Sequence, residues 1–188
     1  MPLEVEFCCA FICLLRSIVI VMKESTIFFM TNTLIAPTTQ TANSHGKNVA
    51  GLKQVLADTY VLYSKTHGFH WNVTGPMFTS LHALFMEQYT ELFEAIDELA
   101  ERIRVLRVEA PYGAAALSRL SSLCDASGSP DAMAMVRELE ADHRHLAAHC
   151  QKALAQAQET GDEGSADLLT QRLRTHQKTA WKLASLLQ

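Results

Sequence analysis

Beyond about Asn48, apolar residues recur every three or four positions in long stretches, parted by a few clusters of chain breakers. Gly75-Pro76, Pro111-Tyr112-Gly113, the run 127–130 and the run 161–164 are the main breaks. The first segment, about 48–73, places Leu52, Val55, Leu56, Thr59 and Tyr63 on one face. The second, about 77–107, aligns Phe85, Tyr89, Leu92, Ile96, Leu99, Ile103 and Leu106 on one stripe. A third helix follows Pro130, which suits a first helical turn. The last is expected to begin near Ser165 as its cap and to run through Trp181 to the end. Residues 117–123 read as a short helical turn in the connection. With almost no β-branched runs, the pattern predicts an all-α fold, a four-helix bundle.

Composition narrows the class. The chain has 188 residues, 48% hydrophobic and 19% charged, enough to bury the core of one domain. Sixteen basic against twenty acidic residues give a net charge of −4, so no overall positive field draws it onto nucleic acid or acidic lipid. Three of the five cysteines fall in the first thirteen residues and none forms a CxxC. That excludes a disulfide framework or zinc finger and suits a reducing, cytoplasmic compartment. Cys124 and Cys150 are expected to pack as small apolar residues. There is no glycine-rich phosphate loop, nucleophile elbow or internal repeat.

The first 29 residues do not read like the rest. Positions 7–22 are apolar apart from Arg16 and Ser17. A transmembrane helix needs roughly twenty apolar residues, and this run is shorter with an arginine in its middle. A secretory signal needs a basic start, whereas Glu4 and Glu6 precede the run. The favoured reading makes 1–29 an extension from an upstream start, with the natural chain opening at Met30. A flexible polar tail is then expected over 30–47 and the bundle over 48–188, with no membrane association.

Four residues of the first two segments carry side chains suited to iron: His70, His82, Asp97 and Glu101. Imidazole suits iron, and hard carboxylate oxygen stabilises the ferric state. His70 stands eighteen residues after Leu52, about five turns at ~3.6 residues each, so it returns to the buried face. With His82 at zero, Asp97 falls near ~60° and Glu101 near ~100°, while the core stripe covers about −120° to +20°. The ligand-type side chains therefore lie on the margin of the buried face. Asp97 and Glu101, four apart, reach a common ion.

His82 and Asp97 are separated by about 22 Å along a helix at ~1.5 Å per residue. Metal–ligand bonds are about 2 Å long, so one ion cannot touch both on one straight helix. Either these are two half-sites, or an antiparallel copy of the helix brings one subunit's histidines to the other's carboxylates across a two-fold axis. The competing reading makes IDELAERIRVLR a solvated face with Glu98–Arg102 and Glu101–Arg104 ion pairs, and His70 a core histidine beside Trp71.

The stretch THGFHWNVTGPMFTSLHALFMEQYTELFEAIDELAERIR resembles the signature region of the Dps family, the mini-ferritins named as DNA-binding proteins from starved cells. HWN is followed by a glycine, a second histidine comes twelve residues after the first, and DxxAER follows. The likeness runs from about Lys47 through SADLLTQRLRTHQKTAWKLASLL. It implies a ferritin-like four-helix bundle with a short helix in the central connection, assembled as a hollow homododecamer. It also implies ferrous iron oxidation, preferably by hydrogen peroxide, at intersubunit sites, with ferric mineral stored inside and DNA protected from oxidative damage. His70 and His82 would come from one subunit and Asp97 and Glu101 from its partner, two half-sites per subunit, with no catalytic group beyond these ligands.

One position departs from the family. Where relatives commonly carry a carboxylate four residues after the second histidine, this chain has Met86, a soft thioether and a poor iron ligand. Glu87 points about 100° away on the helix. The second iron position is therefore expected to be weakened, which keeps open a non-catalytic shell that sequesters metal or coats DNA. Near the last helix, Glu163 and Asp167 match acidic positions of an iron-entry pore in relatives, with Gln158 at a third and Glu159 beside it. Helix capping is the competing explanation. Direct DNA binding has little support, because between Met30 and Ala50 the only basic residues are Lys47 and His45. Asp142, His145 and His149 form a stripe with zinc-ligand chemistry, and Glu140 and His143 make a lone ExxH without the second copy that di-iron bundles need. A plain histidine-bearing surface is the expected explanation.

Overall fold

The structure, a computed structural model, describes residues 39–126 and 128–188, with side chains from Gly46 onward. The apolar run 7–22 and the polar stretch 30–38 lie outside the described residues. Five helices follow in chain order: α1 (Thr39–Asn72), α2 (Phe78–Val105), α3 (Ala114–Leu120), α4 (Ala132–Glu159) and α5 (Glu163–Ser185). The four long ones form the expected bundle, and α3 is the short helix in the long connection, packed on α1. The short links 73–77 and 160–162 make hairpins of α1 with α2 and of α4 with α5. Cross-helix ion pairs set the other registers. Lys65 of α1 holds Glu138 and Asp142 of α4, and Arg172 of α5 holds Glu91 of α2.

Several helix ends differ from expectation. α1 begins at Thr39 rather than near Asn48. α3 starts at Ala114, three residues before the predicted turn, because Gly113 with φ of 83° turns the chain into it. Pro130 stays outside α4, whose cap is Asp131, accepting the Ala134 N–H at 2.7 Å. α5 is capped by Asp162 and not by Ser165. Asp162 accepts both the N–H and the hydroxyl of Ser165, at 3.1 and 2.7 Å, and also holds Arg102 of α2. Ser165 is thereby drawn into the first turn and buried. A cap of this kind stabilises a helix by about 1 kcal/mol.

The apolar interior falls into two clusters. One contains Leu52, Val55, Leu56, Leu99, Ile103 and Leu169, the other Leu62, Phe85, Leu92, Leu139, Leu146 and Leu183. Tyr63, Ile96 and Leu106, predicted on the inner faces, are half-buried at their rims, and Tyr89 is half-buried as well. Gly51 lets α1 approach α4 closely, since a Cβ there would stand 3.1 Å from that of Ala153. Cys150 is buried as expected, and burial pushes its thiol up to about 12. Cys124 is exposed, contrary to expectation, because it lies on the surface connection leading to α4.

Candidate metal centre

The α1–α2 hairpin brings His70, in the last turn of α1, against His82, in the second turn of α2. Nδ1 of His70 donates to the His82 carbonyl at 2.8 Å, and Nδ1 of His82 donates to the His70 carbonyl at 2.8 Å. A carbonyl only accepts, so each neutral ring carries its proton on Nδ1 and keeps the lone pair on Nε2. A hydrogen bond to the second ring nitrogen is what orients metal-bound imidazoles. The rings stack with centroids 3.8 Å apart, Phe78 lies over His82 at 5.0 Å, and Tyr89 meets His70 edge-on at 5.1 Å. As its position five turns beyond Leu52 predicts, His70 is buried; His82 is half-buried, at the margin.

Asp97 and Glu101 are exposed further along α2 and have no hydrogen-bond or ion-pair partner among the described residues. The alternative pairs Glu98–Arg102 and Glu101–Arg104 do not form. Arg102 turns instead to Asp162 and to the Ser165 hydroxyl at 2.9 Å, and Arg104 donates to the Val108 carbonyl at 3.0 Å. Among the described residues no three His, Cys, Asp or Glu side chains gather around one point. A single chain thus presents imidazoles near one end of α2 and free carboxylates toward the other.

Two large apolar side chains lie exposed between them. Met86, 48% exposed, and Phe93, 63% exposed, fall on the same stripe of α2, and Trp71, 67% exposed, flanks the histidines. Scattered exposed apolar side chains are ordinary, whereas large ones aligned on one helix stripe suit a face that another molecule covers. Glu87 faces away and reaches Lys182 at 3.2 Å, so it does not stand in for the missing carboxylate. Sequence reasoning passed over His67, which lies between Trp71 and Tyr89 with ring centroids 4.3 and 4.2 Å away. Its spacing, one turn before His70, was the available signal.

The remaining candidates separate. Asp142 leaves the proposed zinc stripe for the Lys65 ammonium at 2.8 Å, while His145 and His149 stay together. The lone ExxH is not a half-site: Glu140 pairs with Arg144, and His143 is buried against His176 with their Nδ1 atoms 3.0 Å apart. Glu163 and Asp167 are both exposed at the start of α5, one turn apart.

The ferritin-like domain profile matches residues 49–188, which sets the class. DNA protection during starvation protein 2 of Bacillus anthracis is 35% identical over 136 residues, 72% of this chain and 93% of that protein. The X-ray structure of Dps from Thermosynechococcus elongatus superposes with a TM-score of 0.78 at 33% identity, covering 80% of this chain and 96% of that one. A Dps protein of Vibrio cholerae O1, described as belonging to a broad superfamily of ferritin-like diiron-carboxylate proteins, gives 0.75 at 33% identity over 78% and 92%. The chain belongs to the Dps family of ferritin-like proteins. No helix among the described residues is long and apolar enough to cross a membrane.

Proposed function

We propose that this protein oxidises ferrous iron at sites shared between two subunits and stores the ferric product inside a shell of twelve copies. The reciprocal Nδ1–carbonyl bonds of His70 and His82 carry the reading. They prepare two Nε2 lone pairs for a metal, while the carboxylates that would complete the sphere, Asp97 and Glu101, stand farther along α2, out of reach. A two-fold partner laid antiparallel along the apolar row of Met86 and Phe93 supplies the partner's carboxylates to these histidines and the reverse, giving two sites per dimer. Imidazole with carboxylate binds ferrous iron and favours the ferric product.

With hydrogen peroxide as oxidant, two ferrous ions each give up one electron, the O–O bond breaks, and two protons complete two waters. The protein's part is to hold and orient iron and to take up those protons from solvent. Removing ferrous iron and peroxide together protects DNA without touching it, which fits the name of the Bacillus anthracis relative. Glu163 and Asp167 are assigned to an acidic iron-entry pore, where converging carboxylates concentrate cations. Met86 supports a second reading, a shell that sequesters metal with slow oxidation, because it leaves one iron position without its carboxylate.

Subunit mixing tests the shared site. His70→Ala/His82→Ala chains and Asp97→Asn/Glu101→Gln chains, each assembled alone, should bind no iron at the centre. Refolded together in equal amounts, they should regain roughly a quarter of the wild-type sites, since half the dimers are mixed and one site in each has every ligand. Sites built within one chain would regain none.

A further inference from the structure

We propose that His145 and His149 on α4 form a second metal site, for a borderline transition-metal ion such as Cu2+ or Zn2+, held ready by the buried carboxylate of Asp58. The two imidazoles are four residues apart on one helix, with ring centroids 4.5 Å apart and planes tilted by 57°. That spacing places both on the same face, where one ion can take a nitrogen from each.

What distinguishes the pair from ordinary surface histidines lies beneath it. Asp58, on α1, has no exposed surface. Its Oδ2 accepts Nδ1–H of His149 at 2.7 Å. Its Oδ1 accepts the backbone N–H of Ser122 at 2.7 Å and the hydroxyls of Ser121 and Ser122 at 2.9 and 3.1 Å. An ionised carboxylate only accepts, so His149 keeps its proton on Nδ1 and presents Nε2 as a lone pair. The Ser122 hydroxyl spends its proton on Asp58, so at 2.9 Å from His145 it accepts Nε2–H and leaves Nδ1 of that ring as the lone pair. One buried carboxylate thereby sets the tautomer of both rings, directly for His149 and through a hydroxyl for His145. This is the outer-shell arrangement that fixes imidazoles around a metal.

The donor set selects the ion. Two neutral imidazoles without a carboxylate suit Cu2+, Zn2+ or Ni2+ and are poor partners for hard oxygen-seeking ions. Asp142 is held by Lys65 and no third protein ligand joins among the described residues, so the remaining positions go to water. His145 is exposed, which gives the ion access. None of these residues belongs to the proposed iron centre, so the two sites stand or fall separately.

Copper titration of the assembled protein, followed by calorimetry and by electron paramagnetic resonance, tests this. His145→Ala and His149→Ala should each lose one tightly bound Cu2+ per subunit relative to wild type, together with a nitrogen-coordinated signal, while copper held elsewhere is unchanged. Ser122→Ala, which leaves both imidazoles in place, should keep the stoichiometry and weaken that ion about tenfold. His145→Ala is a surface change, so its result does not depend on surviving a folding defect. Unchanged stoichiometry and spectra in both alanine variants would overturn the proposal, as would full Cu2+ affinity in Ser122→Ala.

Discussion

His70 and His82 meet at one end of the bundle and His143 and His176 meet within it, and the two pairs are wired in opposite senses. In the first, each Nδ1 is spent on a backbone carbonyl and each Nε2 keeps its lone pair. In the second, Arg172 Nη2 donates to Nε2 of His176 at 3.3 Å, which puts the His176 proton on Nδ1. That proton is donated to Nδ1 of His143 at 3.0 Å, so the His143 proton sits on Nε2, with no acceptor among the described residues. Glu91 balances the arginine. No lone pair is left for a metal, and both rings are sealed, at 1% and 0% exposure. The atom bonded to the second nitrogen decides whether a pair of histidines serves chemistry or cohesion.

Truncation should split the two roles most sharply. His82→Ala should remove iron from its half-site and lower ferrous oxidation by ~10²-fold or more, with little change in thermal stability, because the ring lies at the margin. His176→Ala should do the reverse. It opens a cavity and strands Arg172 and His143, a loss of about 3 kcal/mol, while iron bound per folded subunit stays constant. Denaturation curves alongside iron titrations of both variants check this. Loss of iron affinity in a folded His176→Ala protein would erase the distinction.

Acid should expose the buried pair next. Burial first, and then the Arg172 charge, push His143 down to about 3 from 6.5. Burial, the neighbouring His143 and Arg172 move His176 the same way. Between these limits the unfolded imidazoles bind protons that the native ones refuse. Their contribution is therefore complete above about pH 6.5 and is lost as pH falls toward 3, on the order of 4 kcal/mol for His143 alone. Asp162, whose carboxyl is held below its usual range by Ser165 and Arg102 against its burial, adds the same sign below about pH 4. Urea denaturation from pH 7 to 4 should show the slope, and a His143→Leu/His176→Leu double variant should flatten it above pH 4.

The bundle was legible because long amphipathic stretches have few ways to bury one stripe. Phe85, Leu92, Leu99 and Ile103 follow from periodicity alone and are all buried. The rotation count that returned His70 to the core side needed only its distance from Leu52. Sorting the α4 side chains was beyond periodicity. Asp142 and His143 are neighbours, and only the docking of α1 and α5 sends one to Lys65 and the other to His176. Asp162 and Ser165 are both good caps, and Arg102, distant in sequence, favours the carboxylate. Asp58 carried no signal at all, because a lone acid on an inner helix face acquires its meaning from two serines and a histidine brought by other segments.

A smaller effect is expected where the site departs from its relatives. Met86→Glu would place a carboxylate one turn beyond His82, on the exposed stripe that the proposed two-fold partner would cover. It should raise the second-iron affinity by about tenfold and speed peroxide-driven oxidation, read by stopped-flow absorbance and by equilibrium iron binding. An unchanged rate and stoichiometry would show that the wild-type site already binds both ions well, and would remove the reason for the slow-sequestration reading.

The smallest effect concerns Glu163 and Asp167, and here charge can be separated from capping. Glu163 opens α5, where a helix start favours negative charge, and Asp167, one turn on, accepts a hydrogen bond from Gln171 at 3.0 Å, so both acids also have a role within the helix. If they serve only the helix, Glu163→Gln/Asp167→Asn should cost about 0.5–1 kcal/mol in stability and leave iron uptake unchanged. If they line an entry path, uptake should slow by about two- to fivefold at low salt with oxidation at the centre intact. Salt is the sharper control. The screening length falls from about 10 Å at 0.1 M to about 3 Å at 1 M, so a difference in uptake that comes from a focused field should vanish between those concentrations. One that persists at 1 M would point to altered helix geometry instead.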